Sequence, residues 1–204
     1  IWQGLKQIEE ELCKQGGGLI VRFGKPTECI PEIAKELAVD AVFVNHDYEP
    51  SAIERDATVK ASLEKQGIHF ESFKDQVIFE KDEVLSGQGT PYTVFTPYSR
   101  KWKERLASNP IVHYPSEKES NYFQGIFELP SLESLGFQPS GLNFPGHEVS
   151  QKLIQGYQAQ RDFPSLDATS RLSVHLRFGT ISIRSLVQKA LGVSETWLNE
   201  LIWR

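Results

Sequence analysis

The chain has 204 residues, enough for one large domain or for one domain and part of a second. Its 39% apolar and 24% charged residues fit a soluble globular protein, and no apolar run approaches the length of a bilayer crossing. The formal charge of -5 argues weakly against nucleic acid, but it is unevenly spread: residues 1–150 hold 15 Lys and Arg against 23 Asp and Glu, whereas residues 151–204 hold 7 against 4.

The opening, IWQGLKQIEEELCKQ, carries acids among its apolar residues and lacks the form of a signal peptide. There Trp2, Leu5, Ile8 and Leu12 recur at helical spacing, and the glycines at 16–18 stop the helix. LIVRF at 19–23 reads as a buried strand. Ile30, Ile33, Ala34 and Leu37 mark the next helix, and AVFVN at 41–45 another strand. Ser51 and Glu54 offer a capping box for a helix reaching Gln66, and IHFESF at 68–73 is a third strand. Strands alternating with helices through short links predict at least three parallel strands, in a mostly parallel Rossmann-like α/β sheet domain. Such a sheet opens a crevice at the carboxyl ends of its strands, where NHDYEP at 45–50 would lie. No GxGxxG or GxxxxGK[ST] follows a strand, so a standard dinucleotide fingerprint and a P-loop are absent.

Residues 108–146 are rich in Pro, Ser, Gly and aromatics and lack periodicity, which marks a connecting region. Helical stripes then return: Val149, Leu153, Ile154 and Tyr157; Leu172 and Leu176; Leu186 and Val187 behind a Ser182 cap; Leu198, Leu201 and Ile202 behind a Ser194 cap. The division expected is therefore an α/β domain over 1–107, a connector over 108–146 and the beginning of an all-helical domain over 147–204. The last apolar faces have no evident partner in the sequence, and the expectation is that they need more chain or another subunit. With no Met anywhere and an apolar pattern running to Arg204, the chain reads as cut at both ends.

Chemistry concentrates in the last quarter. Between Arg171 and Lys189 stand four bases and no acid. TSRLS at 169–173 puts three hydroxyls beside a helix start, where free backbone amides make a phosphate seat, although an ordinary cap accounts for the pentapeptide as well. In ELIWR at 200–204, Glu200 and Arg204 form an i,i+4 pair, and Trp203 beside them would suit a flat heterocycle with a polar edge; a packed core Trp is the more frequent role. Asp47 and Glu49 follow a buried strand, where turn-forming roles prevail over catalysis. The five histidines form no HExxH or other compact set, and Cys13 and Cys29 make neither a zinc set nor a disulfide framework, so no metal is expected. No GxSxG elbow is present.

YQAQRDFPSLDATSRLSVHLRFGTISIR, followed by WLNELIWR, closely resembles the photolyase/cryptochrome family. NHDYEPSAIERDATVKASLEKQGI and GTPYTVFTPYSRKWKERL resemble the family's earlier passages, so the likeness is ordered over nearly all the chain. It implies an α/β antenna domain before a helical domain that holds FAD, in a deoxyribodipyrimidine photolyase that splits cyclobutane pyrimidine dimers of UV-damaged DNA with light. By the same likeness, Tyr157 and the residues Thr169, Ser170, Arg171, Leu172 and Ser173 contact FAD, the last five around its phosphates. Arg161 matches a position associated with damaged DNA. Glu200 matches the acid between substrate and flavin, Trp203 an aromatic wall for the flipped dimer, and Arg204 a basic pocket residue. Val174 stands where the family commonly has Pro, a change confined to the first helical turn.

The resemblance further implies a monomeric parent without membrane association, cytoplasmic or nucleoid-associated in a bacterium, and a second, antenna chromophore such as reduced folate or deazaflavin. Two other readings stand beside it: a cryptochrome-like flavin photoreceptor acting on a protein partner, and a nonenzymatic α/β domain with a helical interaction tail.

Overall fold

A computed structural model describes residues 1–115, 118–125, 127–139, 141 and 146–204. Eight positions of the connector expected over 108–146 lie outside this set. Two compact units are formed. One comprises Ile1–Asp75 and Pro115–Leu142, the other Gln76–Tyr114 and Asn143–Arg204. No described helix is long and apolar enough to cross a membrane.

The first unit is a small open parallel sheet with helices. Helix α1 spans Trp2–Lys14, α2 spans Pro26–Glu36 and α3 spans Pro50–Glu64. Strand β1 (Ala41–Asn45) pairs in parallel with β2 (His69–Phe73), Ala41 opposite His69 and Asn45 opposite Phe73. The crossover between them is α3, whose inner face buries Ala52, Val59 and Leu63. Val59 and Leu63 meet Ala34 of α2 and Ile68, and this cluster is the unit's core. Proline at the first position of α2 and of α3 presets the helical φ where no intrahelical N–H bond is lost.

Two expectations fail in this unit. The described sheet has two strands, not three. Among the described residues LIVRF at 19–23 joins no ladder; its Ile20 and Val21 line a cleft with Ile33 of α2, with Leu37 after it and with Phe127. Leu19, Ile20 and Val21 are partly covered by side chains without a backbone partner among the described residues, and periodicity alone does not separate the two. The Ser51–Glu54 capping box is also absent, because Glu49 is the N-cap and Pro50 opens the helix two residues earlier than a Ser51 cap requires. The glycines at 16–18 do more than stop α1. A Cβ on Gly17 would lie 2.6 Å from the Tyr122 side chain, and one on Gly18 would lie 2.4 Å from the Phe127 ring.

The second unit is helical: α4 (Phe95–Ser108), α5 (Gln151–Gln160), α6 (Ser173–Phe178), α7 (Ile183–Ala190) and α8 (Glu195–Ile202), with a 3₁₀ turn at Lys81–Glu83. Ser182 and Ser194 cap α7 and α8 as expected, accepting from the backbone N–H groups of Ser185 and Trp197. One core gathers Trp102 and Leu106 of α4, Ile154 of α5, Leu186 and Val187 of α7, and Trp197, Leu198 and Ile202 of α8. The final apolar faces are thus covered from within the chain, by α4, α5 and each other. The expectation that they need further chain or a second subunit is overturned.

Helix α6 ends on Gly179 at φ 67° and ψ 18°, the left-handed C-cap conformation. A Cβ there meets no atom within 4 Å, so Gly179→Ala carries a purely conformational cost. The expected loss is about 1 kcal/mol of unfolding free energy, read by urea denaturation. A variant as stable as the parent would place that conformation outside the folded state.

Candidate functional site

Helix α5 starts at Ser150, whose hydroxyl accepts from the Leu153 N–H at 3.2 Å, and Ile154 fixes its inner face in the core. One turn later, Tyr157 and Arg161 lie four residues apart, and the Arg161 guanidinium sits 5.5 Å from the Tyr157 ring centroid. Arg161 donates to the Glu200 carboxylate and contacts Asp162 at 3.4 Å. Helix α8 positions Glu200 by sending its neighbours Leu198, Leu201 and Ile202 into the core while Glu200 remains exposed. Glu200 raises the Arg161 pKa further above its ordinary value. Burial, then the Glu200 charge, holds the Tyr157 phenol above its usual range. Three residues predicted separately, Tyr157, Arg161 and Glu200, therefore form one connected group.

The 169–173 segment is anchored by Ala168 and Leu172, both buried. Leu172 spends its side chain in the core, which leaves only its backbone for a ligand. The helix starts later than TSRLS implies: Leu172 is the N-cap of α6 and no side chain caps it. The hydroxyls of Thr169, Ser170 and Ser173 make no side-chain hydrogen bond among the described residues. Unspent hydroxyls flanking a bend beside a basic residue suit the oxygens of a phosphate ester, so the residues present fit a flavin's pyrophosphate. No hydrogen bond or ion pair among the described residues joins this segment to Tyr157, Arg161 or Glu200.

Trp203 follows α8 and is 58% exposed, a poor match for a packed core residue. Its ring stands edge-on to Phe95 at 5.2 Å and to Tyr98 at 6.2 Å, both on α4. Arg204 is tied down by its backbone partners: it donates to the Gln76 carbonyl at 2.8 Å and to the Leu176 carbonyl at 2.5 Å. Burial, with Arg177 nearby, lowers its pKa, and the side chain is held for geometry as much as for charge. Sequence reasoning named neither Phe95 nor Tyr98, although both lie at helical spacing with Trp102 and Leu106. It also passed over Asp167, which pairs with Arg171 at 2.8 Å.

In the first unit, the loop after β1 is occupied with its own backbone. Asp47 accepts from the N–H groups of Tyr48 and Glu49 at 2.7 and 3.2 Å, a turn-forming role. Asn45 donates to Asp75 at 3.0 Å. Among the described residues no group of three or more His, Cys, Asp or Glu could hold a metal ion.

Comparison with known proteins adds an independent set of findings. The family model described as DNA photolyase matches residues 1–117, more than half of the chain. A deoxyribodipyrimidine photo-lyase of Synechococcus sp. is 30% identical over 98% of this chain and 47% of its own length. One from Halobacterium salinarum is 34% identical over 91% of this chain and 41% of its own. The chain thus spans about half the length of these curated relatives. A class III photolyase from Agrobacterium tumefaciens superposes with a TM-score of 0.75 over the whole chain and 47% of its own, at 22% identity, a likeness of fold. An archaeal photolyase from Sulfolobus tokodaii, described with two FAD molecules, reaches 0.67 at 26% identity over 98% of this chain and 44% of its own.

Proposed function

The chain belongs to the DNA photolyase/cryptochrome family, and from that premise we propose that it is part of a longer deoxyribodipyrimidine photolyase that repairs cyclobutane pyrimidine dimers in DNA. The observation that carries this reading is the close grouping of Glu200, Trp203 and Arg204: a carboxylate acceptor, an exposed flat ring and a fixed cation within five residues.

In the parent, Thr169, Ser170 and Ser173 would hold the flavin phosphates with the backbone of Arg171 and Leu172, and Tyr157 would flank the cofactor. The chemistry supplied by reduced FAD when bound is light-driven electron donation to the dimer, with return of the electron after the ring bonds break. The protein's own share is positioning. A lesion is reached only outside the base stack, and Trp203 offers a face for the flipped dimer. Glu200 accepts hydrogen bonds from the N–H edge of a pyrimidine, and Arg161 keeps that carboxylate oriented. Arg161 and Arg204 add the positive charge that phosphates require.

The test is dimer loss under blue light, measured on damaged DNA with the complete parent carrying reduced FAD. Repair that depends on light and on Glu200 is expected. A folded, flavin-loaded parent that photoreduces its flavin yet leaves dimers intact would instead be a cryptochrome-like photoreceptor.

A further inference from the structure

Arg171 adopts φ 51°, in the left-handed region that costs an ordinary side chain conformational energy. A residue outside Gly, Asn and Asp persists there only where its surroundings hold it. Those surroundings are specific. Asp167 Oδ1 accepts from Arg171 Nη2 at 2.8 Å across the bend, and buried Ala168 and Leu172 pin the chain between and beside them. Thr169 and Ser170 precede the bend and Ser173 follows it, all with hydroxyls unspent within the described chain.

We propose that Asp167 is a positioning residue for phosphate binding: it tethers Arg171 so that the 169–173 backbone keeps its left-handed bend and presents the three hydroxyls together. The inference rests on the flavin reading of this segment. It also reassigns Arg171. The guanidinium, which the family likeness places among the cofactor contacts, serves here by holding the bend through Asp167. Loss of the tether lets Arg171 relax toward negative φ, which rotates the two adjoining peptide planes and separates the hydroxyl pair from Ser173. The two side chains are well exposed, so the tether adds little to global stability. Its effect belongs to the ligand, whose seat is prearranged before binding.

The experiment compares five variants of the complete parent with the unmodified protein. FAD affinity is measured by equilibrium dialysis on the apoprotein in the dark, and the apoprotein melting midpoint is recorded for each. Asp167→Asn is expected to weaken FAD about three- to fivefold with the midpoint nearly unmoved, and Asp167→Glu, which keeps the charge, to bind more tightly than Asp167→Asn. Arg171→Ala and Arg171→Gly both remove the guanidinium, but only glycine enters the left-handed region freely. Arg171→Gly should therefore bind FAD more tightly than Arg171→Ala. Unchanged affinity in Asp167→Asn overturns the proposal. Equal weakening in both Arg171 variants also overturns it, because the guanidinium would then touch the ligand itself. Replacing Thr169, Ser170 and Ser173 together by Ala reports on the underlying reading. Full FAD affinity in that variant removes the flavin site from this segment and the proposal with it, whereas strong loss there with no effect of Asp167→Asn rejects the tether alone.

Discussion

Replacing Trp102 by alanine should destabilise the helical unit by about 3–5 kcal/mol, a large part of the 5–15 kcal/mol that holds a typical domain together. Trp102 is 2% exposed and its ring meets Phe79 edge-on at 5.4 Å. It shares one core with Leu186 and Val187 of α7 and Trp197, Leu198 and Ile202 of α8. Truncation leaves a large void, and helices of eight residues such as α7 and α8 have little stability apart from their packing. Hydrogen exchange should therefore show protection falling across 183–202, some eighty residues downstream of the substitution. Protection lost in α4 alone would show that α4 is not part of that core.

That coupling is also where the sequence misled. The stripe of Leu198, Leu201 and Ile202 was legible as an apolar face, but its partner was sought outside the chain. Its partners are α7, α5 and α4, and in α4 the residues Phe95, Tyr98, Trp102 and Leu106 recur at helical spacing. The passage at 95–107, which the division expected from sequence places with the sheet domain, carries a helical period besides its family likeness. The structure groups 76–114 with the later helices. Period reports which face of a helix is apolar; it does not report what covers it.

The strands show the complementary limit. AVFVN and IHFESF became β1 and β2, with α3 as the crossover, because length, β-branched or aromatic content and bounding turns agreed. LIVRF has the same composition and no ladder partner among the described residues. Strand formation is settled by a neighbouring backbone, which no local window contains. The candidate site divides likewise. Tyr157, Arg161 and Glu200 were named residue by residue from the family likeness, and their joining into one group was not legible, because it depends on how α5 meets α8. The i,i+4 pair expected between Glu200 and Arg204 gave way for the same reason. Glu200 pairs with Arg161, and Arg204 donates to two backbone carbonyls.

Trp203→Ala should weaken binding of dimer-containing DNA by the complete parent about fivefold or more, since a base stacked on an aromatic side chain contributes about 1–3 kcal/mol. The ring suits that role because it is held without being used up. Phe95 and Tyr98 contact it edge-on and leave more than half of the residue exposed. The neighbouring Arg204 fixes the end of α8 through the Gln76 and Leu176 carbonyls, so the ring's direction is set before any ligand arrives. Removing the side chain costs the fold comparatively little, because edge-on aromatic pairs add only about 0.5–1.5 kcal/mol beyond area burial. FAD affinity should be unchanged, since Trp203 belongs to the lesion side of the proposed pocket. Trp203→Phe keeps a flat face and should retain most of the affinity. Binding is measured in the dark by titrating a duplex with a single dimer, beside the same duplex undamaged. If Trp203→Ala binds both duplexes as the unmodified parent does, Trp203 is an aromatic buttress for α4 and the lesion is gripped elsewhere. If it loses affinity for both alike, the ring serves general DNA contact, and the preference for the dimer must come from Glu200 and its partner Arg161.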